Sequence, residues 1–599
     1  MSPTPGVVPR PIPPTTPPTP VVPPRGPFGV TTPGAPPAVP PTAEHLRGWR
    51  GWWYRNRAHY FALVAQEQAN RGFAQTAAGE VYLGLLGGQR AWADPQRLQT
   101  ELPALRPLLE PWLASRRVEV ALTTLSGMNR LGIAPPAAAE ARFLRGNQAA
   151  QGEACRALGL RADAQAWREL RARFAGEHAE AAAHGLGLFA LRSEDRQHRQ
   201  AALQLLVDQL VHGFAAEARL QLACAEAIRV AAHRPAVASE QIARLAHGEL
   251  LMPLLRDPTR PFEMRAALYV AVAQLLPEFL PASSARAELL TLCRAEVQQR
   301  RAEAVIQYGA VQAFGLVARP VEGDPGADLR WLAEVALHHR QRLVRPAASI
   351  ALARIIGQLG WEAPAVEEHA TPALLALLDD GDVALRPWAA MALGIAAVEA
   401  RSRHQLDVPA AISGKLLDAI AQSRDADQRA AYALGLALLG DPAALPAIRR
   451  EALKKSGRAA HPQAVQALGL RGSDDDARNL LATLDARQID PWQLEATGEA
   501  LAALGRMETR HILIERLDDR VAERQRAAAR ALGLYPTADT LTAYRALLNQ
   551  ADTGSPVLQA VILAVSRWQD AQPGLLRQAC AGAWNPLLAS RLDSWGREF

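Results

Sequence analysis

The residues whose types suit chemistry are few in this 599-residue chain, and the densest group is an aromatic and basic block near its start. Trp49, Trp52, Trp53, Tyr54 and Tyr60 alternate there with Arg47, Arg50, Arg55 and Arg57. Guanidinium groups beside stacking rings suit single-stranded nucleic acid, and tryptophan with arginine suits a membrane interface. A third reading makes the block a cap whose indoles close the end of a repeat array, because every array needs an atypical end unit. Leu46, Trp49 and Trp53 share one face of a short helix, and Asn56 reads as the N-cap of a second helix through Phe61, Leu63 and Val64. Trp49, Arg50, Trp52, Trp53, Arg55 and Arg57 are the candidate partner-binding residues.

The remaining candidates read as structural. His338 and His339 are adjacent on a predicted helix and point about 100° apart, so they cannot share a metal without a ligand from elsewhere. Asp474, Asp475 and Asp476 suit a helix N-terminus and its dipole, whereas calcium loops place their ligands at alternate positions. Cys155, Cys224, Cys293 and Cys580 lie far apart with no CxxC spacing, as buried thiols do. No GxSxG, GxxxxGK[ST] or HExxH pattern occurs. The expectation is a protein without catalytic, cofactor or metal residues.

Charge points away from nucleic acid. The net charge is +6, but residues 1–60 hold six arginines against the single acid Glu44, which leaves +1 for the rest. A phosphate-binding groove needs a positive surface, and this chain is close to neutral beyond its first 60 residues. Nucleic acid is therefore not the expected partner. The best apolar run, Ala266 to Ala273, stops at Gln274 and Pro277, well short of the roughly 18 residues that span a bilayer.

The elements that position these residues follow from a repeat. RAAYALGLALLG from Arg429 recurs as RPWAAMALGIAA at Arg386 and RPAASIALARII at Arg345. Ala353, Gly394 and Gly435 fall in register at steps of 41 residues. A period of about 40 marks a two-helix solenoid of the HEAT or armadillo type. In one unit Ile412, Leu416, Leu417 and Ile420 form the apolar stripe of a first helix, Ser423 to Asp427 break it, and Ala430 to Leu438 start the second. So short a break forces an antiparallel hairpin.

Glycine inside a helix costs about 0.5–1 kcal/mol against alanine. The recurring Gly394, Gly435, Gly469, Gly505 and Gly533 are therefore expected where neighbouring helices approach closely. Residues 1–42, with 17 of the 44 prolines in the first 41 positions, read as a disordered Pro/Thr-rich linker. Residues 43–145 read as a helical cap and 146–599 as the solenoid, of about ten units in a right-handed superhelix whose second helices line a concave surface.

RPWAAMALGIAA, RAAYALGLALLGDPAALPAIRREALKK and AVQALGLRGSDDDARNLLATL resemble HEAT repeats, the second most like the units of phycobilin lyases, with Gly440, Asp441 and Pro442 in the turn. Asp380 and Arg386 match an acid and base that many HEAT units carry six residues apart. Arg265 and Arg345 stand in register with Arg386 but lack that aspartate. WRGWWYRN is similar to the opening block of HEAT proteins of planctomycete-type bacteria. The resemblance implies an all-α solenoid acting as a non-catalytic scaffold for protein or peptide partners on its concave surface. An alternative it implies is an accessory enzyme of the bilin-lyase type acting on a prosthetic group. The di-iron hydroxylases of this fold use His-Glu dipeptides, and none occurs here. The expected location is the cytoplasm, or outside it if an export leader precedes Met1.

Overall fold

Several Ala/Leu-rich runs begin at a side chain that caps the backbone, as at Asn147, Asp425 and Ser473, and the computed structural model is built of short helices. It describes residues 48–72, 105–131, 133–213, 217–232, 250–276, 284–318, 325–404, 408–453, 460–486, 488–550 and 553–568, all within the unit 41–599. The expected linker 1–42 and Cys580 lie outside the described residues.

Helix α1 (Trp49–Gly72) comes first. Thirteen helix pairs follow among the described residues. They are α2 (Arg106–Leu113) with α3 (Val118–Arg130), α4 (Ala137–Leu144) with α5 (Gln148–Arg161), α6 (Ala164–Phe174) with α7 (Ala179–Arg192), and α8 (Arg196–His212) with α9 (Ala218–Ala231). Next come α10 (Leu251–Arg256) with α11 (Phe262–Leu275), α12 (Ser284–Gln298) with α13 (Ala304–Val317), α14 (Pro325–His338) with α15 (Arg345–Leu359), and α16 (Thr371–Leu378) with α17 (Arg386–His404). The last five are α18 (Ala410–Gln422) with α19 (Ala426–Leu439), α20 (Leu445–Ala452) with α21 (Pro462–Arg471), α22 (Asp474–Leu484) with α23 (Pro491–Ala503), α24 (Thr509–Glu515) with α25 (Ala522–Leu532), and α26 (Ala538–Asn549) with α27 (Ser555–Trp568). This is the expected all-helical solenoid.

The pair α18/α19 shows how sequence makes a unit. Asp425 caps α19, its side chain accepting from the Asp427 amide at 2.8 Å. Gly440 ends the helix at φ 74, a conformation that suits glycine. The outer helix α18 buries one stripe, Ile412, Ser413, Leu416 and Ile420, whereas α19 is buried at every residue from Ala430 to Leu439. An all-round apolar helix belongs inside. The second helices form that inside, each packing on the second helix of the next pair.

The row of inner helices closes on itself, because α27 packs on α3. The Trp112 indole donates to the Leu548 carbonyl at 3.2 Å, Arg117 Nη1 to the Thr553 carbonyl at 2.9 Å and Gln559 Nε2 to Thr123 Oγ1 at 3.3 Å. The expected free ends are therefore absent from the array of described pairs. The described residues within 43–145 form α1, the whole first pair and the first helix of the second. The pair count exceeds the ten expected in part because prolines obscured this stretch: α2 carries Pro107 in its first turn and Pro111 within it, and still buries Leu109 and Leu113.

Glycine contacts hold the inner row together. A Cβ on Gly435 would lie 2.6 Å from the Ala390 carbonyl oxygen, one on Gly394 2.8 Å from Leu438 Cβ, and one on Gly469 2.5 Å from Ala500 Cα. The same contact recurs where α25 ends, with Gly533 facing Ala564 Cβ at 2.8 Å, and at the seam, with Gly127 facing Ile562 Cγ2 at 2.7 Å. Gly505 departs from the expectation: it sits in the turn after α23 at φ 73.

Arginines at the start of inner helices tie the pairs together. Arg345 Nε donates to the Ala336 carbonyl at 2.7 Å, at the end of the preceding outer helix, and its Nη2 pairs at 2.5 Å with Asp380 of the next unit. Arg429 does the same with the Ser423 carbonyl and with Glu451, both at 3.0 Å, and Arg265 pairs with Glu296. Arg386 donates to the backbone carbonyl of Asp380 at 2.9 Å, not to its carboxylate. The charge ladder thus runs between units, each acid lying on the unit after its base. Asp476 likewise completes a capping box with Ser473 and accepts from Arg449 Nε at 2.6 Å.

Replacing Gly435 by alanine should destabilise the protein, since its Cβ meets backbone that cannot rotate away. Gly435→Leu should cost more, about 1–3 kcal/mol, although both residues favour a helix over glycine by about 1 kcal/mol. A urea titration in which either variant gained stability would contradict this account.

Candidate functional site: a helix seated on the inner surface

The aromatic and basic block is one continuous helix. Asn56 does not begin a second helix; its Nδ2 donates to the Trp52 carbonyl at 2.8 Å, one turn back, and α1 runs through it. Trp49, Trp52, Trp53, Arg55, Asn56, Tyr60, Phe61 and Val64 are buried.

α1 lies on the inner row and runs in the same direction as the helices beneath it. Near its start Trp52 meets the edge of Trp388 of α17, with ring centroids 6.1 Å apart, and Trp53 meets Gln466 of α21. Near its end Glu67 meets Arg401 of α17 and Arg471 of α21. The helix therefore sits between α17 and α21 and crosses no end of the array.

The first half of α1 meets acids. The Trp53 indole donates to Gln466 Oε1 at 2.9 Å, and Gln466 Nε2 donates to Glu499 of α23 at 2.6 Å. Glu499 also accepts from Arg57 Nη2 at 2.5 Å, with Glu495 at 3.9 Å. Burial opposes the Arg57 charge, and the Glu499 and Glu495 carboxylates outweigh it and hold the group above its ordinary pKa. Arg50 pairs with Asp427 at the start of α19; burial, which Asp425 opposes, lowers the Arg50 pKa.

The second half ends on bases. Glu67 sits 3.0 Å from Arg401 Nε and 2.9 Å from Arg471 Nη2, with all three side chains largely buried. Both arginines also hold the end of α19, Arg401 through the Leu438 and Leu439 carbonyls and Arg471 through the Ala437 carbonyl at 2.9 Å. Between the two halves lies a titratable cluster. Burial, then Arg354 of α15, lowers the His59 pKa, while burial raises those of Tyr60 and of Glu399 on α17.

The structure thus gathers Trp49, Arg50, Trp52, Trp53, Arg55 and Arg57 on one element, buried or paired within the chain. Sequence reasoning missed the groove residues Asp427, Gln466, Glu495, Glu499, Arg401 and Arg471, whose only signal was a charged or amide side chain on otherwise apolar inner helices. Arg345, Arg386, Gly394, Gly435 and Gly469 lie in the framework around it. The thiol of Cys155 is pushed up to about 11 by burial, and Cys224 and Cys293 are raised by the same cause. Among the described residues no three His, Cys, Asp or Glu side chains are grouped to hold a metal, and no helix is long and apolar enough to cross a membrane.

The closed row of helix hairpins defines a HEAT-like α-solenoid. No family model matches the chain, and no curated protein matches it. Among solved structures, a crystal structure of importin beta in an ammonium sulfate condition is similar at 13% identity and a TM-score of 0.43, the match covering 86% of this chain and 67% of that one. A likeness so distant assigns neither partner nor compartment.

Removing the Glu67 carboxylate takes a counter-charge from two buried arginines and leaves them their backbone carbonyls, and breaking a buried pair from one side costs about 3–5 kcal/mol. Glu67→Ala should lower stability on that scale and speed amide exchange in α1 ahead of the inner helices; unchanged exchange in α1 would refute the docking. His59 has a folded pKa below its unfolded one, so the stability it contributes is complete above its ordinary value near 6.5 and is lost as pH falls below it. Wild type should therefore lose stability relative to His59→Gln between pH 7.5 and 5.5 in paired urea titrations; parallel curves would show that the imidazole carries no linkage.

Proposed function

We propose that this protein is a non-catalytic scaffold that binds protein partners, and that its binding surface is the inner face spanning α17 to α23. The observation that carries the reading is that this face already holds a helix, α1, by the chemistry of protein interfaces. Tryptophan, tyrosine and arginine anchors meet a few polar groups there, the composition found at binding hot spots. Laying a helix into a groove is also a recurrent mode of peptide recognition. The nucleic-acid alternative needs Arg50 and Arg57 facing phosphates, whereas they face Asp427, Glu495 and Glu499. No feature of the site favours the prosthetic-group alternative.

Photo-crosslinking in the native host tests the surface. A crosslinker at Arg403, exposed on the inner helix α17, should capture a protein partner, and one at Asp418, exposed on the outer helix α18, should not. Capture from Asp418 alone would move the binding surface to the outer row and overturn the proposal.

A further inference from the structure

We infer that the groove selects its partner by charge order and that the partner is a helix of another protein which displaces α1; this rests on the inner-face reading above. The partner carries arginines seven residues apart among indoles in its first half and a carboxylate about ten residues later, the order of Arg50, Arg57 and Glu67 in α1.

Three observations carry the inference. The groove is polar along its length, with Asp427, Glu495 and Glu499 under the start of α1 and Arg401 and Arg471 under its end. A helix laid the other way would set its acid against Glu495 and Glu499 and its guanidinium groups against Arg401 and Arg471, so direction is selected by repulsion as well as attraction.

The groove also keeps its shape without α1, because each charged group in it has a second partner within the ring. Asp427 is held by His461 Nε2 at 2.8 Å, Glu499 by Gln466 Nε2 at 2.6 Å and Glu495 by Arg530 at 3.7 Å. Arg401 and Arg471 are held by the last carbonyls of α19. Such a site is preorganised, which lowers the cost of binding.

Finally, α1 meets the row differently from the way the row meets itself. Inner helices join through glycine and alanine backbone contacts, while α1 is held by side-chain ion pairs, an indole hydrogen bond and ring contacts. Contacts of that kind can exchange one helix for another without disturbing the backbone packing beneath.

The test uses the full chain and a fluorescein-labelled peptide of residues 48–72 as the stand-in partner, read by anisotropy. Glu67→Arg sets a guanidinium beside Arg401 and Arg471, which should free the end of α1 and raise peptide affinity at least about tenfold over wild type. The milder Glu67→Gln should raise it less. Adding Arg401→Glu to Glu67→Gln should remove the gain, and a peptide of the same length with its charges exchanged (Arg50→Glu, Arg57→Glu and Glu67→Arg) should not bind.

A folded, monomeric Glu67→Gln that takes up no more peptide than wild type overturns the inference. Equal binding of the charge-exchanged peptide overturns charge order while leaving the inner-face reading intact. A dimer in light scattering without peptide uptake assigns the groove to α1 of a second copy, and so overturns the choice of another protein. Failure of the inner-face reading appears separately, as the absence of partner capture at Arg403.

Discussion

The constraint on which the rest of the structure depends is the absence of a side chain where inner helices cross. At Gly435 and Gly469 a neighbouring backbone atom already occupies the place of a Cβ, so adjacent inner helices meet at close to backbone distance. Outer helices touch one another less. Each pair is consequently a wedge, narrow inside and wide outside. The thirteen described wedges close the row, an average turn of about 28° each, a thirteenth of a circle.

Bringing inner helices this close leaves little room for side chains between them, so the connections between units move to the edges. There the arginines at the starts of inner helices work in two directions, toward a carbonyl of their own unit and toward an acid of the next. The inner face beyond the crossings keeps its larger polar residues, and these are the ones that α1 engages. Packing and recognition thus use different residues of the same helices. A substitution at Gly435 acts on the ring, and one at Glu499 acts on what the ring holds.

Much of the fold was legible because its determinants are local and periodic. The 41-residue step through Gly394 and Gly435 reports the helix crossings, and Asp425 and Gly440 mark the ends of α19 as capping chemistry requires. Legibility stopped where spacing misled or distance intervened. Gly505 repeats the interval while serving a turn, and Pro107 and Pro111 hid the first pair. The Arg345 and Asp380 bridge was missed because the acid was sought within the unit and stands in the next. The residue types of the α1 block were apparent, but its place was not. Trp53 and Gln466 are 413 positions apart, and no property of either names the other.

The seam between α27 and α3 has a consequence for how such a chain can change over time. An open solenoid can grow or shrink by duplicating or deleting a unit, because a new unit needs only a neighbour on one side. Here an added unit would require every wedge to narrow, and the loss of one would open a gap that the remaining contacts could not bridge. Variation is therefore channelled into the turns, where added residues leave the wedge angles untouched, and the number of units becomes a property as discrete as the subunit count of a symmetric oligomer.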